Sequence, residues 1–227
     1  MLPRAFVNLS ASIEIFCAYS SGVKGIIPNE IGNMSNLIEL DIVGNELTGT
    51  IPGTLGQLTK VQRLRLNDNK LQGSIYVNLC HLVNLYHLNL GNNHLSRHLP
   101  TCLGVLTSLR ALNLSYNSLT LTIPSTMWTN KEIQIMDLSN NLFNGSLAPE
   151  IGSVEKNDRV IYIKKPVHRR DSMHYRATSE FGKSNIIKQS VTRALYLSRF
   201  GDLISLQYLD LSKNNLYGEI PKSLAET

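Results

Sequence analysis

The chain has 227 residues, a formal net charge of +5 and 42% hydrophobic content, with only 5 Phe and 1 Trp. No run of 18 apolar residues exists to cross a membrane as a helix. Met1 to Ser12 lack the basic start and apolar run of a signal peptide.

From the N-terminus, a fixed step of 24 residues organises the chain. Asparagine returns at Asn45, Asn69, Asn93, Asn117 and Asn141, and Ser21 stands one step earlier. The neighbours return too: Leu64 and Leu66 precede Asn69, and Leu112 and Leu114 precede Asn117. Self-similarity at one period marks a repeat array. Each Leu-x-Leu step predicts a short strand whose leucines point inward, stacking into a parallel sheet. The Asn amide, with both donors and acceptors, can satisfy the backbone where each strand turns out of the sheet. One repeat cannot bury its own apolar stripe, so neighbours supply the wall and stability is close to a sum over adjacent pairs.

After the Asn, each repeat reads L-x-G-x-I-P-x-x-L-G, as in Leu47, Gly49, Ile51, Pro52, Leu55 and Gly56. Parts recur at Gly25, Ile27, Pro28, Ile31 and Gly32, and at Gly218, Ile220 and Pro221. This frame resembles the plant-specific leucine-rich repeats in ectodomains of receptor-like kinases and receptor-like proteins. The resemblance covers residues 10–153 and 203–227. It implies a leucine-rich-repeat solenoid, right-handed and superhelical, with short parallel strands, a 3-10 or irregular convex side, and a second small sheet from the L-x-G-x-I-P segment. It further implies an extracellular recognition arm. The domain reading is 1–153 as about six repeats, 154–200 as a non-repeat basic segment, and 201–227 as a final truncated repeat. The paired-cysteine caps of the resembled ectodomains are absent, so the chain reads as a fragment. A membrane span and kinase would lie in segments outside it.

Three cysteines cannot all pair. Cys80 and Cys102 sit two positions out of register in adjacent repeats, which predicts two small buried hydrophobes rather than a disulfide. Cys17 falls at a surface position of the concave strand and reads as a free exposed thiol. Asn8, Asn33, Asn113 and Asn144 head N-x-S/T triplets, and in the secretory path these are glycan acceptors.

The pattern vanishes between Glu155 and Phe200. This stretch holds 11 Lys+Arg against 4 Asp+Glu, so the rest of the chain sums to −2. A basic cluster at Arg169, Arg170 and Arg176 is a poor case for nucleic acid, and none is expected as a partner. Two readings remain, and the second fits better. One is an island-like insertion. The other is repeat sequence read one nucleotide late from about Asp158, which would restore the missing ladder positions, 165 and 189. That reading leaves Asn214 three repeats beyond Asn141, and the last repeat without a stacking partner.

No catalytic foothold appears. His81, His87 and His94 lack metal-ligand spacing, no phosphate loop follows a strand, and no cofactor or metal is expected. Function is sought on the concave face, at the variable positions flanking the inward leucines. These are Cys17 and Tyr19; Glu39, Asp41 and Val43; Arg63, Arg65 and Asn67; His87, Asn89 and Gly91; Ala111, Asn113 and Ser115; Ile135, Asp137 and Ser139. Ligand-binding candidates are Arg63, Arg65, Glu39, Asp41, His87 and Asn89. Glu39 and Asp41 alternate with Leu40 and Ile42, and are expected to face solvent together. Arg63 and Arg65 point the same way and suit a carboxylate bidentately. The resemblance implies that an R-x-R here receives a peptide C-terminus. The competing reading is a solvated charge pair offset by Glu39 and Asp41. The functional expectation is a non-enzymatic module for a peptide or protein ligand and a co-receptor ectodomain, on the extracellular side of the plasma membrane. The competing class is a stand-alone secreted protein, either an inhibitor of wall-degrading enzymes or a scaffold.

Overall fold

The computed structural model describes residues 12–146 and 205–217, together with 160–161 and 195–196. Readings of 1–11, including Asn8, of most of 154–200, and of 218–227 lie outside the described residues. The concave sheet has seven parallel strands: β1 (Ile15–Cys17), β3 (Glu39–Asp41), β5 (Arg63–Arg65), β7 (His87–Asn89), β9 (Ala111–Asn113), β11 (Ile135–Asp137) and β15 (Tyr208–Asp210). A lateral sheet has five: β6 (Gln72–Gly73), β8 (His94–Arg97), β10 (Ser118–Leu121), β12 (Leu142–Gly145) and β16 (Asn215–Leu216). A separate pair, β2 (Lys24–Ile26) with β4 (Glu46–Thr48), carries the same motif in the first repeats, and a Thr50–Gln72 bridge leads on to β6.

The convex side is built from 3-10 turns at Asn29–Asn33, Gly53–Gln57, Val77–His81, Thr101–Val105 and Ser125–Thr129. Pro28, Pro52, Pro100 and Pro124 precede four of these turns in extended conformation. Proline suits that place because its φ is already fixed and its missing N–H costs no ladder bond. Between the walls runs one continuous core: Leu40, Leu64, Leu88, Leu112, Met136 and Leu209 from one inward row are all fully buried. Burying each such side chain stabilises by roughly 1.5–3 kcal/mol, but only when the next repeat covers it.

The asparagine ladder closes each turn out of the sheet. Asn69 Oδ1 accepts from the Leu47 N–H, while Asn69 Nδ2 donates to the carbonyls of Ile42, Leu66 and Asn67. Asn93, Asn117 and Asn141 repeat the arrangement, and Asn45 makes the equivalent bonds to Ser21, Val23 and Ala18. These buried amides bond across two repeats at once, which an apolar side chain in their place would leave orphaned.

Two expectations need correction. The last repeat does not lose its partner: β15 pairs directly with β11, and Asn214 bonds the Phe143 N–H and the Leu138 carbonyl as the next rung after Asn141. Within the intervening chain, β13 (Val160–Ile161) and β14 (Leu195–Tyr196) pair antiparallel. Secondly, Cys80 and Cys102 form a disulfide, with their Cα atoms 5.8 Å apart. The register reasoning failed because the 24-residue step holds only on the concave face, where Arg63 faces His87. On the lateral sheet the facing step is 22, as Gln72 opposite His94 and Ser96 opposite Ser118 show. The convex side shares that offset, so Cys102 is where Cys80 points.

Candidate functional site

The concave strands set their outward residues in rows across the repeats. One row runs Glu39, Arg63, His87, Ala111, Ile135 and Tyr208, and the next Asp41, Arg65, Asn89, Asn113, Asp137 and Asp210. Side chains at i and i+2 of a strand share a face, so each row is presented to the groove.

Four of the candidate residues form one network. Glu39 accepts from Arg63 Nη2 and Arg65 Nη2, both at 2.7 Å, and Asp41 meets Arg65 Nη2 at 2.6 Å. Glu39 and Asp41 are buried, contrary to the expectation that they face solvent. The reason is that the arginines fold back across the preceding repeat and cover them. The guanidinium-bearing side chains remain 41% and 30% exposed while the carboxylates beneath are 8% and 7% exposed. Arg63 also lies over the Tyr86 ring, 5.9 Å from its centroid, a cation–π contact that fixes its second side. The network is thus neutral in sum, but the cations lie outermost in the groove and cover the anions beneath them.

A second ladder borders the same face. The side-chain oxygens of Asp41, Asn89, Asn113, Asp137 and Asp210 each accept from the N–H two residues on, at Val43, Gly91, Ser115, Ser139 and Ser212. Arg65 occupies this row and cannot accept. The Asn67 N–H therefore has no partner among the described residues, and Asn67 Oδ1, Arg63 Nε and Arg65 Nε are also unpaired. Unsatisfied polar groups gather at this one point of the groove. This local Asx pattern was legible as D/N-x-x spacing and was missed.

His87 adjoins the network in register with Arg63. Burial, then the positive charges of Arg65 and Arg63, push its pKa down to about 4, so it is neutral at ordinary pH. Asn89 sits beside Arg65 with its side chain turned to the Gly91 amide. Partial burial, then the charges of Glu39 and Asp41, raise the Cys17 thiol pKa and keep it protonated. Cys17, Glu39 and Asp41 offer ligand atoms within 4.8 Å of one another. Both carboxylates are already engaged by arginine, which leaves little for a cation. At the far end, burial and then the neighbouring Asp210 charge raise the Asp137 pKa. Of the triplet asparagines, Asn33 and Asn144 are exposed. Asn113 is not free, because its Oδ1 takes both the N–H and the hydroxyl of Ser115.

The Leucine rich repeat family matches residues 35–95 in one profile, and 108–130 and 205–226 in another. No curated protein matches the sequence significantly. Among solved structures, the chain is similar to the plant peptide hormone receptor RGFR1 in complex with RGF2, with TM-score 0.65, 25% identity, 88% of this chain and 24% of that chain covered. It is similar to the ectodomain of GASSHO1/SCHENGEN3 from Arabidopsis thaliana in complex with CASPARIAN STRIP INTEGRITY FACTOR 2, with TM-score 0.69, 28% identity and coverage of 92% and 19%. It is also similar to the Arabidopsis receptor kinase HAESA in complex with the peptide hormone IDA and the co-receptor SERK1, with TM-score 0.56, 31% identity and coverage of 63% and 25%. The chain thus spans about a fifth to a quarter of the length of these receptors. It is a leucine-rich-repeat solenoid. Its repeats are of the kind found in plant receptor ectodomains.

Proposed function

We propose that the chain is a non-catalytic recognition module of a plant receptor-like kinase or receptor-like protein. It binds a peptide or protein ligand on the concave face and leaves the lateral face to a co-receptor ectodomain. The observation that carries this reading is the Arg63–Arg65 pair. Glu39 and Asp41 hold both guanidiniums in place from below while the groove side stays open. A ligand carboxylate arriving from the groove meets cations that are already oriented, so little side-chain entropy is lost on contact. The Asn67 N–H, without a partner among the described residues, adds a donor at the same place. The likeness to ectodomains solved with peptide hormones supports a peptide as the ligand class.

The Cys80–Cys102 bridge supports an oxidising compartment, hence the extracellular side of the membrane in the intact parent. In that compartment Asn33 and Asn144 are the exposed glycan acceptors among the described residues. Direct pairing of β11 with β15 favours residues 154–200 as an insertion between consecutive repeats. An independent transcript that reads through this stretch in the present frame supports the insertion. One that restores the ladder at positions 165 and 189 overturns it.

Calorimetry on the full chain with one synthetic peptide library, as free acids and as C-terminal amides, tests the site. The acids should bind at least tenfold tighter than the amides, and Arg63→Ala with Arg65→Ala should abolish the difference. Equal binding of acid and amide by the unsubstituted chain removes the reading.

A further inference from the structure

We infer that the Cys80–Cys102 bridge is a redox-sensitive joint in the convex wall, standing in for a glycine-seated contact between adjacent repeats. The starting point is a row of glycines. A Cβ added at Gly32 would lie 2.6 Å from the Thr54 carbonyl oxygen, at Gly56 2.2 Å from the Asn78 oxygen, and at Gly104 2.2 Å from the Thr126 carbonyl carbon. Real Cβ atoms do not approach backbone so closely, so at these points only glycine lets one convex turn seat on the next. The 24-residue step from Gly56 to Gly104 passes through position 80, and the residue there is Cys80.

Cys80 carries the Cβ that the close approach forbids. The turns Val77–His81 and Thr101–Val105 accordingly pack more sparsely than any other adjacent pair of the described convex turns. The partner position is just as regular. Thr54 lies 22 beyond Gly32, Asn78 lies 22 beyond Gly56, and Thr126 lies 22 beyond Gly104. Cys102 lies 22 beyond Cys80. The residue that props the gap open thus faces the one residue able to tether across it.

Both cysteines are partly buried rather than sealed in the core. Reduction returns two electrons and two protons to the sulfurs and breaks the S–S bond; a dithiol such as dithiothreitol supplies them and closes to its own cyclic disulfide. The repeats then remain joined by β7 with β9 on the concave side and β6 with β8 on the lateral side. Neither the tether nor the glycine seat holds the convex side. The joint lies behind His87, Asn89 and Asn113, so its opening changes the curvature of the groove at those residues.

Amide hydrogen exchange on the full chain, with and without dithiothreitol, tests the inference. Three proteins are compared: the unsubstituted chain, Cys80→Gly with Cys102→Asn, and Cys80→Ser with Cys102→Ser. The glycine–asparagine pair copies the Gly56–Asn78 seat. Dithiothreitol should speed exchange at least tenfold in the two turns, with β7 and β9 unchanged. The Gly/Asn variant should be as protected as the oxidised chain and indifferent to reductant, and the Ser/Ser variant should match the reduced chain. Unchanged exchange on reduction overturns the joint, as does a Gly/Asn variant as loose as Ser/Ser. Loss of protection reaching β3 and β5 overturns it as well, since the bridge would then be a global stabiliser.

Discussion

Asp137 and Asp210 lie side by side, in register on adjacent strands, although 73 positions separate them in sequence. On each, Oδ1 accepts from the serine N–H two residues on, and Asp210 Oδ2 also accepts from the Tyr208 hydroxyl. Two carboxylates at one strand spacing repel, and burial adds to the cost of charging Asp137.

Asp137→Asn should therefore stabilise the chain at neutral pH. Because the folded pKa of Asp137 is raised, its favourable contribution exists below the unfolded value of 3.8 and is lost as pH rises through the folded value. The amide keeps the Oδ1 acceptor for Ser139, as Asn113 does for Ser115. A gain of about 1 kcal/mol corresponds to roughly 2–4 °C in melting temperature for a chain of this size. Melts at pH 7 and pH 3.5 should show the gain at the first and its shrinkage at the second. A gain that is equal at both is not electrostatic.

His87 should make the opposite contribution. Its folded pKa of about 4 lies below the unfolded value of 6.5, so the folded state binds fewer protons between the two. Stability is lost as pH falls through that window. In His87→Gln that part of the acid lability is missing, while every carboxylate contributes as before. The difference in melting temperature between the two proteins, followed from pH 7.5 to 4, should swing in favour of the variant. A flat difference would falsify the depressed pKa.

The array was legible in sequence because one period governs strand, ladder and concave row together. Asn69 and Asn93 occupy equivalent rungs for the same reason that Leu64 and Leu88 are both buried. The Cys80–Cys102 bridge was not legible, because the spacing of facing residues changes from 24 to 22 away from the concave sheet, and no sequence period reports that slip. Alternation correctly put Glu39 and Asp41 on the groove face. It did not reveal that Arg63 and Arg65 close over them, since burial there comes from long side chains of the next repeat rather than from the strand itself. Reading Asn141 to Asn214 as three uniform steps hid the direct pairing of β11 with β15.

Leu121→Gly should stabilise the lateral sheet. Leu121 has φ +65° at the row position where Gly49, Gly73 and Gly145 stand, also with positive φ. A non-glycine residue there costs roughly 1–2 kcal/mol, against about 0.5–1 kcal/mol for the extra unfolded-state freedom of glycine. The leucine is 54% exposed, so little burial is lost. The net gain should be a few tenths of a kcal/mol to about 1 kcal/mol. Gly49→Ala should do the reverse, because its Cβ would meet Ile26 Cγ2 at 2.8 Å and its φ is +75°. Denaturant midpoints of both variants check the pair, and a lower midpoint for Leu121→Gly would assign that side chain a packing role instead.

Deleting residues 152–200 should leave an intact array. The cut removes 49 residues and joins Ile151 to Gly201, which brings Asn141 and Asn214 to the 24-residue step of every other rung. The β11–β15 pairing and the Asn214 bonds to Phe143 and Leu138 already have the geometry of consecutive repeats, so the cut keeps them and costs β15 only its contact with β13. Shortening the connection from 73 to 24 residues lowers its closure cost by about 1 kcal/mol on the logarithmic scaling for flexible loops. The shortened chain should therefore melt at or above the temperature of the full chain, in one cooperative transition, with the β15 amides at least as slow to exchange. Because 11 of the chain's 22 Lys+Arg and 4 of its 17 Asp+Glu lie between Glu155 and Phe200, the cut should also carry the isoelectric point from basic to acidic. Faster exchange at Tyr208–Asp210 in the shortened chain would mean that the removed residues, and not β11, hold the last repeat in place.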